Sequence, residues 1–105
     1  MKFLVVGKMR ETPPVPPEQL RRMVVGEWQT GLQLRKEGKV EVGYALAGQK
    51  GGMSIREAES GADLNAQLMR SPLYAFLDIE IYPLMTLEEA LTQAKQALEA
   101  IKAQK

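Results

Sequence analysis

Ser71-Pro72-Leu73-Tyr74-Ala75-Phe76-Leu77-Asp78-Ile79-Glu80-Ile81-Tyr82-Pro83-Leu84 is the stretch whose reading decides the fold. Proline stands near both ends, and from Phe76 onward apolar and polar residues alternate. That period of two belongs to a strand with one face in a core. Its other face carries Phe76, Asp78, Glu80 and Tyr82, two acids framed by two aromatics. A lone soluble domain rarely leaves so mixed a face in water, so a partner sheet is expected to cover it. Asp78 and Glu80 could also suggest an acid pair or a hard-cation site. Pairing with a basic residue such as Arg56 makes an interface the preferred reading, with no metal.

Working outward, Lys2 to Lys8 reads as a buried, valine-rich strand at the amino terminus. Pro13-Pro14 and Pro16-Pro17 stiffen the connection that follows, and the last proline suits the first turn of a helix. From about Pro17 to Glu37, at about 100° per residue, Leu20, Met23, Val24, Gly31 and Leu34 share one face. Glu27 falls in the middle of that apolar stripe. Gly38 supplies the stop. Lys39 to Ala47 alternates as a strand, with Val40, Val42, Tyr44 and Leu46 expected on one face. Gly48 to Gly52 reads as a hairpin turn and Met53 to Glu59 as the returning strand. Ser60 with Asp63, and Thr86 with Glu89, are capping signals for two further helices.

Strand, helix, strand, strand, helix, strand is the ferredoxin-like βαββαβ order: α+β, with one antiparallel four-stranded sheet and both helices on one face. The 105 residues form a single domain, with residues 1–84 as the ferredoxin-like core and 85–105 as an extra C-terminal helix. The bare sheet face predicts a dimeric α/β barrel, a homodimer or higher homo-oligomer. The extra helix would cover a sheet edge or reach across to the partner.

Composition narrows the chemistry. The chain has no histidine and no cysteine, and its formal charge is +1 from 14 basic and 13 acidic residues. Those absences argue against zinc and copper sites, against Ser-His and Cys-His nucleophile pairs, and against a disulfide framework. Scattered, balanced charge points to neither a nucleic-acid groove nor a membrane surface. With no cysteine a cytoplasmic protein is the expected reading, and the first residues read as too short an apolar run for a signal peptide or a membrane span. Catalysis would fall to carboxylates, tyrosines, arginines, lysines or backbone amides.

Glu27 is the strongest such candidate. A carboxylate in an apolar stripe is desolvated, which disfavours its charged form and suits it to act as a general base. Gly31, one turn on, would leave room for a substrate and Trp28 would wall the pocket. Tyr44 would face Glu27 from the second strand and hydrogen-bond an enolate oxygen. The plainer alternatives are a Glu27 paired with an arginine or tyrosine in the core, and a Trp28 that is simply core or interface. The glycine-rich turn at Lys50 lacks the Lys-Ser/Thr and helix of a phosphate loop.

Ala47-Gly48-Gln49, Ser54-Ile55, Ser60, Leu64, Leu68, Pro72-Leu73, Asp78-Ile79-Glu80-Ile81 and Pro83-Leu84 together resemble the muconolactone delta-isomerase family of the dimeric α/β-barrel superfamily. The likeness spans roughly Phe3 to Leu84. It implies a cofactor-free isomerase that moves a proton within an unsaturated lactone, in a pocket between helix and sheet, and assemblies up to decamers. The family's first-helix glutamate matches Glu27. Its arginine just before that position is Gly26 here, and its second-strand histidine falls at Val42. Three functions are therefore open: an isomerase of a small unsaturated lactone or carboxylic acid, a non-catalytic small-molecule-binding or assembly protein, and a cofactor-free monooxygenase.

Overall fold

The computed structural model describes residues 1–104. In chain order it contains β1 (Lys2–Met9), α1 (Pro17–Lys36), β2 (Val40–Ala45), β3 (Gly51–Glu57), α2 (Gly61–Leu68), β4 (Leu77–Pro83) and α3 (Leu87–Ala103). The four strands form one sheet in the order β2-β3-β1-β4, every neighbouring pair antiparallel. This is the ferredoxin-like βαββαβ arrangement, followed by one more helix.

Local chemistry explains each helix boundary. Proline at the first position, Glu18 in the first turn and Arg35 with Lys36 in the last suit the polarity of α1. Gly38, at φ 79°, turns the chain out of that helix. The Ser60 hydroxyl accepts the Asp63 amide at 3.1 Å to start α2. The Asp63 carboxylate takes the Glu59 amide rather than that of Ser60, at 3.0 Å, so the reciprocal bond sits one residue early. Thr86 and Glu89 form the full reciprocal box at the start of α3, at 3.0 and 2.9 Å.

Register decides what each face carries. Val5 pairs with Ser54 on one side and Ile81 on the other, and Phe3 pairs with Arg56. Phe3, Val5, Ala58, Leu64 and Leu68 form the buried core, with Ile79 packed against it. These alternate residues define the helix-covered face. The opposite face presents Leu4, Val6, Met53, Ile55, Glu80 and Tyr82.

Three expectations change. Phe76 lies outside the strand, in a single 3₁₀ turn at Tyr74–Phe76, because the chain after Pro72 coils before it extends. The mixed face of β4 is thus Asp78, Glu80 and Tyr82. The returning strand starts at Gly51 rather than Met53, since glycine there permits an approach that any Cβ would block by running into the Gly7 carbonyl oxygen. A register irregularity between Val40 and Val42 breaks the simple alternation of β2.

Two surface features frame the body. Glu37, just past α1, accepts both terminal nitrogens of Arg70, just past α2, at 2.9 Å each. The Arg70 hydrogen bonds, with help from Gln33, hold the Glu37 carboxyl down at about 2. At the other extreme, α3 covers no sheet edge. Leu87, Leu91, Leu98 and Ile101 are all exposed, and the molecule measures 68 × 26 × 24 Å.

Candidate functional site

Between α1 and the helix-covered face lies a cavity of about 580 Å³. Its cause is legible in the pairing. Gly7, Gly43, Gly52 and Ser54 occupy successive cross-strand positions of that face, so no large side chain rises to meet the helix. Gly52 seats the Trp28 ring, whose carbons lie 3.2 Å from where a Cβ would stand. Gly31 lines the same space, and a Cβ there would meet nothing within 4 Å.

Glu27 points into this cavity from α1 and is half-buried. Its neighbour Gly26 lets the helix close on the connection after α2, where a Cβ would lie 3.3 Å from the Pro72 ring. That closeness brings Ser71 to Glu27, and the Ser71 hydroxyl donates to Oε2 of the carboxylate. The same Oγ accepts the Leu73 amide at 3.1 Å, so its one hydrogen is left for Glu27. The carboxylate is thereby oriented by a hydrogen bond whose own direction is fixed by the backbone.

Arg56 enters from β3, opposite Phe3 and Val40. Its Nε donates to the Ser54 hydroxyl at 3.0 Å, while Nη1 is buried with no partner among the described residues. Burial pulls the guanidinium's pKa down, and the nearby Glu27 carboxylate pushes it back up. The two form no direct ion pair among the described residues. Gln67, 2% exposed, completes the polar wall. Its Nε2 donates to the Glu57 carbonyl at 2.8 Å, and its Oε1 has no partner among the described residues.

A half-buried carboxylate, a cavity and a facing cation invite comparison with known proteins. The sequence matches the muconolactone delta-isomerase family over residues 1–90. The chain belongs to that family. Among solved structures, it superposes on muconolactone isomerase with a TM-score of 0.73 and 24% identity, covering 82% of this chain and 90% of that one. It also superposes on the 5-chloro-2-hydroxyhydroquinone dehydrochlorinase of Burkholderia phenoliruptrix, solved in complex with 2,5-dihydroxybenzoquinone. There the TM-score is 0.63 and the identity 17%, over 85% of this chain and 98% of that one. At such identities these two likenesses concern the fold. No curated protein sequence matches the chain.

The structure brings Glu27, Trp28 and Gly31 to one cavity in this member of the muconolactone delta-isomerase family. Tyr44 also borders that cavity, but its side chain lies on the other face of the sheet from Glu27. Tyr44 pairs with Met53, which pairs with Val6 on the open face, and the tyrosine is 66% exposed. The irregularity after Val40 is the reason. Val40 and Gly43 face the helix, whereas Val42 and Tyr44 face away.

Arg56 is corrected in the opposite sense. Its pairing with Phe3 puts it under the helices, on the other side of the sheet from Asp78, Glu80 and Tyr82. Asp78 instead meets Arg10 at 3.4 Å, and the Tyr82 hydroxyl donates to Glu80. The sequence held a signal for Arg56, since Ser54, Arg56 and Ala58 alternate with Met53, Ile55 and Glu57. Ser71 and Gln67 gave none. Ser71 reaches Glu27 only because a connection and a helix 44 residues apart come together.

Proposed function

We propose that this protein is a cofactor-free isomerase that moves a proton within a small unsaturated lactone or carboxylic acid, with Glu27 as the base. The observation that carries this reading is the Glu27 carboxylate, oriented by Ser71 inside a cavity of about 580 Å³. That volume suits a small organic molecule. Trp28, Leu34 and Leu73 give the substrate apolar walls, and Glu27 faces its acidic C–H. The carboxylate takes a proton from the carbon beside the carbonyl, and the electron pair spreads into an enolate. The same carboxyl then returns the proton to the far end of the conjugated system. Family membership supports the reaction class.

We further propose a homodimer through the open sheet face. Leu4, Val6, Val42, Tyr44, Met53 and Ile55 lie there in register, flanked by Glu80 and Tyr82. Such a surface is costly to leave wet and self-complementary in kind. Sedimentation should give a dimer or larger, and Met53→Glu, placed centrally on that face, should yield monomers.

The test of the chemistry is deuterium exchange from solvent into an unsaturated γ-lactone, followed by NMR. Wild-type protein should catalyse exchange and double-bond migration. Glu27→Gln should lower the rate by at least ~100-fold, as expected for loss of a general base, with the melting curve unmoved. Full exchange in the variant, or oxygen consumption in place of exchange, would overturn this function. Protection against melting without exchange would make the protein a binder.

A further inference from the structure

We propose that Arg56 is the electrophilic residue of this site, receiving the substrate's carbonyl or carboxylate oxygen and stabilising the oxyanion that forms as Glu27 carries the proton. The inference rests on the proton-transfer role of Glu27 and supplies the donor that Tyr44, on the opposite face, does not.

Three observations lead there. The guanidinium has five N–H groups, yet its one hydrogen bond among the described residues is Nε to Ser54. Nη1 is buried without an acceptor among the described residues, while the side chain as a whole borders the cavity. A guanidinium so poorly paired is unfavourable, and an oxyanion arriving at its cavity side offsets that cost as negative charge develops. Second, Gln67 also borders the cavity, yet its Oε1 has no donor among the described residues, so it does not occupy the Arg56 guanidinium as an acceptor. Third, Glu27 lies close enough to act on the charge of Arg56 without making an ion pair with it. Base and donor thus border one space and leave the interval between them for substrate.

The remaining cations on the cavity wall are Arg21, Arg35 and Lys50, and all three are solvent-exposed. Water and salt screen them, so none matches the field of a guanidinium held in the protein's interior. Arg56 also offers parallel N–H groups, a geometry that fits a planar carboxylate or enolate. The proton step balances without a further reagent. The C–H bond breaks toward a Glu27 oxygen, its electron pair forms a C=C bond, and the carbonyl π pair moves onto the oxygen facing Arg56. Reprotonation at the distal carbon returns those electrons and regenerates the Glu27 carboxylate.

Trp28, the only tryptophan, lies on the cavity wall and reports occupancy by fluorescence. Wild-type protein should bind benzoate saturably and at least ~10-fold more tightly than benzamide, as a charge-assisted contact requires. Arg56→Met, which keeps the length and apolar stem, should erase that preference, and Arg56→Lys should restore part of it. Glu27→Gln should bind benzoate as well as wild type or better, because a like charge is gone. In the exchange assay Arg56→Met should lose kcat while KM for a neutral lactone moves little.

Equal affinity for benzoate and benzamide in wild type, or benzoate binding unchanged in Arg56→Met, overturns the proposal. So does the absence of saturable benzoate binding by both fluorescence and calorimetry. If the methionine variant fails to fold, Arg56→Gln decides by the same criteria. Failure of the proton-transfer reading shows separately, as exchange that survives Glu27→Gln while the benzoate preference stands.

Discussion

The two helices of the core cover the same sheet face and meet opposite conditions beneath them. Under α2, Phe3, Val5, Ala58, Leu64, Leu68 and Ile79 fill the space with apolar side chains. Under α1, Gly7, Gly43, Gly52 and Ser54 leave it hollow, and Glu27, Arg56 and Ser71 line it. Stability is concentrated where side chains are large and matched, because dispersion and the hydrophobic effect both scale with filled contact. Where they are small, room is left for a small molecule and charged groups stand incompletely paired, the conditions a binding or reactive site needs. One half of the sheet holds the molecule together so that the other can remain open.

The largest expected effect tests that division directly. Leu68→Ala, in the filled half, should lower unfolding free energy by about 2–5 kcal/mol, the cost of a buried leucine and the space it leaves. Arg56→Met, in the hollow half, should cost less than about 1 kcal/mol or stabilise, since it replaces an incompletely paired buried charge with an apolar chain. Urea denaturation of both variants gives the contrast, and equal losses would break it.

A middle-sized effect belongs to the contact that ties the halves together. Free glutamate titrates near 4.5, whereas Glu37 is held at about 2 by its hydrogen bonds to Arg70. A depressed folded value contributes stability in full above the ordinary carboxyl range and loses it as pH falls toward 2. The melting temperature of wild type should therefore drop more steeply between those limits than that of Glu37→Gln, and parallel curves would show that the clasp contributes nothing.

Gly31→Ala should have the smallest effect, and in the favourable direction. The space around that Cβ is empty, so the gain is the helix preference of alanine over glycine, about 0.5–1 kcal/mol. Thermal melting should rise by a few degrees. A fall would mean that the hollow under α1 is tighter than its geometry indicates.

Alternation in Asp78-Ile79-Glu80-Ile81, the helical stripe through Leu20, Val24 and Leu34, and the caps at Ser60 and Thr86 carry enough information to define the element order. Each is a local signal, carried by residues within one or two turns of each other. Glu27 was legible for the same reason, as a charge misplaced within a periodic stripe. Facing relationships were not. A single irregularity between Val40 and Val42 turned Tyr44 away from the site. The pairing of Arg56 with Phe3 took the arginine from an expected interface and set it on the wall of the cavity that Glu27 enters.

Composition and periodicity alone determined that this chain makes a four-stranded antiparallel sheet with helices on one face and an acid in the first helix's apolar stripe. Tertiary structure alone decided that a cavity opens there and that Ser71 and Arg56 attend the acid. The reason is physical: periodicity is a property of neighbours along the chain, whereas strand register and helix approach are set by contacts between residues tens of positions apart, and one shifted residue reverses the side of the sheet on which a group appears.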